Sequence, residues 1–161
     1  MTISTARHSR ATLVITSHEG HEMLVQAMVN IPVEQAAAAT GLHTEIVRQL
    51  IRAGVLPGSS ELCDLERAQE IAAEIAAACA PVEGRGVGVT DAAKQYGFSR
   101  DSIYKWIKDG WVRVVRQEPT VLVNEGDMVL ARELAMMQGG HIEGRAVFPH
   151  KPIPGRPKKP R

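Results

Sequence analysis

Apolar and polar positions alternate with a helical period in two short bursts between Val89 and Val112. The first burst predicts a short helix over 92–96, with Thr90 or Asp91 as its cap. Gly97 then falls where the chain must turn. Ser99 is a good cap for a second helix, Arg100 to Asp109, which Gly110 stops. On that helix Ile103, Trp106 and Ile107 sit at i, i+3 and i+4 and form one buried stripe. Arg100, Asp101, Tyr104, Lys105 and Lys108 point the other way.

The same pattern occurs earlier. Residues 33–56 align with residues 89–112 without a gap, at an offset of 56. Val33 meets Val89, Ala36-Ala37 meets Ala92-Ala93, Gly41 meets Gly97, Val47 meets Ile103, and Gly54 meets Gly110. The flanks extend the correspondence. Arg113 to Arg116 and Val121 to Val123 are rich in β-branched residues around Gln117-Glu118-Pro119, which predicts a small hairpin. A helix over 128–138 follows, with Asp127 as its cap. In the first copy Glu61-Leu62-Cys63 is the remnant of such a strand, and Asp64 caps an Ala-rich helix to Cys79. D-L-E-R-A-Q-E-I-A and D-M-V-L-A-R-E-L-A correspond at an offset of 63, which implies a hairpin seven residues longer in the second copy. Upstream, Ala11 to Thr16 reads as a short strand, and Glu19 to Val29 carries Met23, Leu24, Ala27 and Met28 at helical spacing.

A short helix, a glycine turn and a second helix with a polar, basic outer face make the helix-turn-helix pattern. A-A-K-Q-Y-G-F-S-R-D-S-I-Y-K-W-I-K-D-G-W-V, followed by a hairpin and a further helix, resembles the excisionase-type, MerR-like winged helix-turn-helix family. The resemblance covers about residues 88–137 well and 31–77 more loosely. It implies a DNA-binding fold whose second helix enters the major groove while the wing touches the backbone or minor groove.

Composition and charge narrow the function classes. Aromatic residues make up 4% of the chain, so the core must be mostly Ala, Val, Ile and Leu, which favours helices. The net charge of +1 hides a division. Residues 17–84 hold three Arg/Lys against ten Asp/Glu, and residues 85–116 hold seven against three. Residues 117–144 hold one against five, and residues 145–161 six against none. Positive charge in blocks, one of them on the second motif, points to a polyanionic partner. The terminal P-I-P-G-R-P-K-K-P-R cannot bury enough apolar surface to fold alone. Its Gly-Arg-Pro core resembles an AT-hook, which implies that Arg156, Lys158 and Lys159 engage an A·T-rich minor groove.

The residues therefore predict a mainly α chain of two tandem winged helix-turn-helix units, with a small β-hairpin wing in the second and a disordered basic C-terminal tail. The expected divisions are an N-terminal segment 1–30, a first unit 31–80, a Gly-rich linker 81–88, a second unit 89–139 and the tail 140–161. The expected partner is double-stranded DNA. Ser99, Arg100, Ser102, Tyr104, Lys105 and Lys108 would meet the major groove, and Arg113 and Arg116 the backbone. In the first unit Thr44, Arg48, Gln49 and Arg52 are the candidates. The role would be that of a bacterial-type transcriptional regulator or an excisionase-like architectural factor.

The alternative is an adaptor. Its acidic first unit, within residues 1–84, would bind a recombinase or polymerase subunit or self-associate, and the second half would tether it to DNA. No catalytic motif, cofactor site or metal-ligand spacing is present. His18 and His21 lack a third ligand, and Cys63 and Cys79 read as apolar filler. No signal peptide or membrane span is expected, and a cytoplasmic, nucleoid-associated location is.

Overall fold

The computed structural model describes residues 29–140 and 146–150 in full, together with the backbone of 13–16 and 22–25. Among the described residues it is mainly helical, with six α-helices and small antiparallel sheets. An N-terminal hairpin pairs β1 (Leu13–Thr16) with β2 (Glu22–Val25), Leu13 opposite Val25. Within the helix expected over 19–29, Glu22–Val25 is instead a strand and Val29 belongs to no element. A short apolar run such as Met23-Leu24-Val25 serves either period, and the run Leu13–Thr16 supplies a strand partner.

The remainder is one plan used twice. In the first half β3 (Asn30–Pro32) leads into α1 (Val33–Thr40) and α2 (Thr44–Arg52). Then β4 (Leu62–Asp64) enters α3 (Leu65–Cys79). In the second, β5 (Gly86–Gly88) leads into α4 (Val89–Tyr96) and α5 (Arg100–Asp109). The hairpin β6 (Val114–Arg116) and β7 (Leu122–Asn124) then enters α6 (Glu125–Met137). The expected linker is thus structured: Ala80–Val82 forms a 3-10 turn and 86–88 is a strand of the second sheet, whose order is β5-β7-β6.

The hydrogen bonds repeat as faithfully as the residues. Gly41 N donates to Ala37 O, as Gly97 N does to Ala93 O. Leu56 N donates to Leu50 O, as Val112 N does to Trp106 O. Asn30, Ile31 and Pro32 face Asp64, Cys63 and Leu62; Gly86, Val87 and Gly88 face Asn124, Val123 and Leu122 in the same register. Asp64 N reaches Pro57 O, and Asn124 N reaches Arg113 O.

This register corrects the alignment. Strand β4 and helix α3 match β7 and α6 at an offset of 60, so the second hairpin is four residues longer, not seven. Asp64 takes the place of Asn124, and Asp127 lies one turn further on. The apolar pattern cannot choose between the two offsets, because α6 is buried on most sides. Gly58 explains the tighter first connection. It bridges to Cys63, and a Cβ there would lie 2.4 Å from the Leu62 carbonyl oxygen. Val114 occupies the equivalent place in the longer hairpin.

Caps follow the sequence in part. Ser99 Oγ accepts from Ser102 N at 3.1 Å, and Asp64 Oδ1 accepts from Arg67 N at 2.7 Å. His43 Nδ1 caps α2 by accepting from Glu45 N at 3.2 Å. Helix α4 instead starts at Val89 from Gly88 with no side-chain cap, so neither Thr90 nor Asp91 serves. Asp127 does not cap α6 either. That helix starts at Glu125 from Asn124, whose side-chain oxygen accepts from Gly84 N at 2.8 Å.

Each half buries its own stripe, Ile46, Val47 and Leu50 in the first and Ile103 and Trp106 in the second, with α1 and α4 packed between it and the last helix of each half. Helices α3 and α6 pack on each other, and Cys79 Sγ meets Gly126 O at 3.4 Å, so the two cores join. Cys63 and Cys79 are free thiols, and burial pushes both pKa values up. Among the described residues no helix is long and apolar enough to cross a membrane.

Candidate nucleic-acid interface

Helix α5 is amphipathic, so burying Ile103 and Trp106 turns the opposite face outward. Ser99, Arg100, Asp101, Tyr104, Lys105 and Lys108 are exposed there, and Ser102 is half-buried at the edge. Tyr104 keeps 50% of its surface accessible. Among the described residues no carboxylate lies within ion-pair distance of Arg100, Lys105 or Lys108. Arg116, on β6, is exposed and likewise unpaired among them.

The first half treats its cations differently. Arg48 Nη2 lies 2.5 Å from Glu34 Oε1, and its Nη1 lies 2.6 Å from Glu45 Oε1. Arg52 Nη2 is 3.7 Å from Glu45 Oε2. Thr44 is half-buried. Gln49 stands at the position equivalent to Lys105. Its Nε2 donates to Gln138 Oε1 at 3.0 Å and to the carbonyl oxygens of Ala146 and Val147, each at 2.9 Å. Chain from the second half and the C-terminal segment thus lies against α2 where a free reading face was expected.

Arg113 is held at the root of the hairpin rather than offered freely. Its backbone N–H and guanidinium bind the Asp127 carboxylate, with Nη2 at 2.7 Å from Oδ1, and the same Nη2 lies 2.7 Å from Glu83 Oε1. Those hydrogen bonds raise the Arg113 pKa further above its ordinary value. Beside it the Glu125 carboxylate accepts from the Arg85 guanidinium, from Tyr96 OH at 2.7 Å and from Gln95 Nε2 at 3.1 Å. The Arg85 hydrogen bond is the main force holding Glu125 down at about 2. Burial, then the bond to Glu125, pushes the Tyr96 phenol up to about 12. This cluster ties the turn before β5, the root of the hairpin, α4 and α6 together and leaves Arg116 as the candidate wing cation.

Part of the expected tail is ordered. Residues 146–150 pack on the body, with Val147, Phe148 and Pro149 buried. The Phe148 ring stacks on Trp111 at 5.3 Å and 5°, and meets Trp106 edge-on at 5.2 Å. His43 lies edge-on to the same Trp111 at 5.0 Å. A cleft of about 290 Å³ opens between this strap and α5, lined by Ser102, Lys105, Asp109, Phe148, Pro149 and His150 among others. Sequence reasoning missed the strap, although Val147-Phe148 is an apolar pair inside a polar stretch. Arg156, Lys158 and Lys159 lie outside the described residues, as do His18 and His21. Among the described residues no cluster of His, Cys, Asp and Glu could hold a metal ion.

Compared with protein-family models, with curated proteins and with solved structures, the chain gives no significant match.

Proposed function

We propose that this protein binds double-stranded DNA through its second half, as a pair of tandem winged helix-turn-helix units of which only the second reads bases. The observation that carries the reading is the contrast between two equivalent helices. On α5 the cations Arg100, Lys105 and Lys108 are exposed and unpaired among the described residues, whereas on α2 Arg48 and Arg52 are neutralised by Glu34 and Glu45. Phosphate attraction dominates affinity for DNA, so the helix with free cations is the one that docks. Lys105 or Arg100 would read guanine from the major groove, and Tyr104 and Arg116 would meet phosphate. Arg156, Lys158 and Lys159 would add minor-groove contacts. The chain would act as a regulator or architectural factor and perform no covalent chemistry.

The test is fluorescence anisotropy with short duplexes across a salt series. Lys105→Ala and Lys108→Ala should weaken binding, and Lys105→Ala should also cost roughly 1–3 kcal/mol of base discrimination if it reads guanine. Arg48→Ala and Arg52→Ala should leave affinity nearly unchanged. No binding at low salt by the wild-type chain would overturn the reading.

A protein-binding role for the first half has one observation in its favour. Glu66, Glu70 and Glu74 are exposed at one-turn intervals on α3, with Glu70 paired to Arg67, and the face repels phosphate and suits a basic protein partner. Capture of a recombinase or polymerase subunit that is lost on Glu70→Lys and Glu74→Lys would establish the adaptor reading.

A further inference from the structure

The strap over 146–150 meets the same position on two equivalent helices. On α2, Gln49 Nε2 donates to the Ala146 and Val147 carbonyl oxygens. Its counterpart on α5, Lys105, lines the cleft beside the strap with Ser102, Asp109 and His150. Val147 and Phe148 are buried, and the Phe148 ring is clasped by Trp106 and Trp111. The strap thus runs along one flank of α5 while it holds on to the first half.

We infer that the strap is an autoinhibitory cover: while it is docked, α5 cannot seat in a major groove, and base recognition requires its release. The inference rests on the DNA reading above and adds to it how access to that helix is controlled.

Helix and groove dimensions support it. Ser102, Lys105 and Asp109 stand at i, i+3 and i+7, a line about 10 Å long that lies about a quarter turn round α5 from the middle of its outward face. A helix with its side chains is about 10–12 Å across and the major groove is about 12 Å wide, so a seated helix has no spare room at its flanks. Those flanks face the sugar-phosphate walls. A chain laid along one flank adds at least ~4.7 Å, the spacing of closely paired backbones, which makes helix and strap together ~15 Å or more. The front of α5 stays open, with Arg100, Tyr104, Lys105 and Lys108 exposed, so the docked form still meets phosphate from outside the groove. It loses seating, not charge. The hold is local and can be released without unfolding the halves. It is made by Phe148, its buried neighbours Val147 and Pro149, and one glutamine amide.

The test compares the full wild-type chain with Phe148→Ala. Trp106 and Trp111 are the only tryptophans and both touch Phe148, so their emission reports release of the strap and far-ultraviolet circular dichroism reports retained helix. Each protein is titrated by anisotropy with two duplexes: the tightest that Phe148→Ala selects from a random-sequence pool, and a scrambled duplex of the same composition. A strap docked in about nine molecules of ten leaves about one tenth competent, which weakens the apparent affinity about tenfold. Phe148→Ala should therefore bind the selected duplex about tenfold or more tighter than wild type, and the scrambled one within about twofold, since phosphate contacts do not need seating. Equal or weaker binding of the selected duplex by Phe148→Ala would overturn the cover, and so would an equal gain on both duplexes. If Phe148→Ala lowers helix content, Gln49→Ala loosens the strap from its other side and takes its place, with the same result expected. If neither protein binds any duplex at low salt, or no sequence emerges from the pool, the DNA reading falls and the cover with it. If both proteins bind the selected duplex equally, only the cover falls.

Discussion

Replacing Glu125 with glutamine tests the polar cluster beneath the hairpin. The Glu125 side chain is 4% exposed, yet one carboxylate receives hydrogen bonds from Arg85, Tyr96 and Gln95. Its pKa is held at about 2, against an ordinary value of 4.5. A depression of that size corresponds to roughly 3 kcal/mol of stability at neutral pH. Arg85 is mostly in solvent, and screening trims the figure toward about 2 kcal/mol. That is a large part of the 5–15 kcal/mol typical of a whole domain. The folded-state value is lowered, so the contribution is complete above pH 4.5 and is lost as pH falls from there to about 2. Glu125→Gln keeps an oxygen for Tyr96 and Gln95 but turns an amide toward Arg85. Urea denaturation should show it about 2–3 kcal/mol less stable than wild type at pH 7, with the gap closing toward pH 2. A variant within about 0.5 kcal/mol of wild type at pH 7, or a gap that persists unchanged at pH 2, would refute the reasoning.

Two further substitutions address the first half. Gly58→Ala would drive a Cβ to 2.4 Å from the Leu62 carbonyl oxygen. Backbone cannot yield there as a side chain tip can, so thermal melting should shift down by a margin typical of an overpacked site, roughly 1–3 kcal/mol; an unchanged midpoint would show that the connection relaxes freely. Cys63 is fully covered and its thiol pKa is raised by burial and by Asp64. In a Cys79→Ala background a thiol reagent should label it only through unfolding, with a rate that follows urea concentration. Labelling as fast as a free thiol in the folded protein would place Cys63 at the surface.

Much of the fold was legible because glycine turns and helix periods repeat at one spacing. Ser99, Asp64, Gly97 and Gly110 do what their positions imply, and the outward set on α5 follows from the stripe opposite it. The hairpin over 13–25 was not legible, because Met23-Leu24-Val25 suits either period and pairing is a long-range choice. The hairpin length was misjudged because aspartates at 64 and 127 look alike in sequence. Asp64 caps a helix, whereas Asp127 binds Arg113. In the candidate site, charge signs were visible but ion pairing was not. Arg48, Arg52 and Arg113 count as cations in sequence and are bound to carboxylates in the fold. The strap depended on Gln49 and Trp111 meeting residues about a hundred and about forty positions away, respectively.

Two halves with one strand register face a hazard during folding: β3 could pair with β7, or β5 with β4, and every backbone hydrogen bond would still form. Side chains must reject the exchange. Gly86 lies so close to β7 that a Cβ there would sit 3.1 Å from Leu122 Cδ1. Asn30 is its counterpart in β3 and would bring a whole side chain to that spot. Gly86 thus acts as a key that β3 does not carry, and it disfavours the trading of strands between two near-copies in one chain.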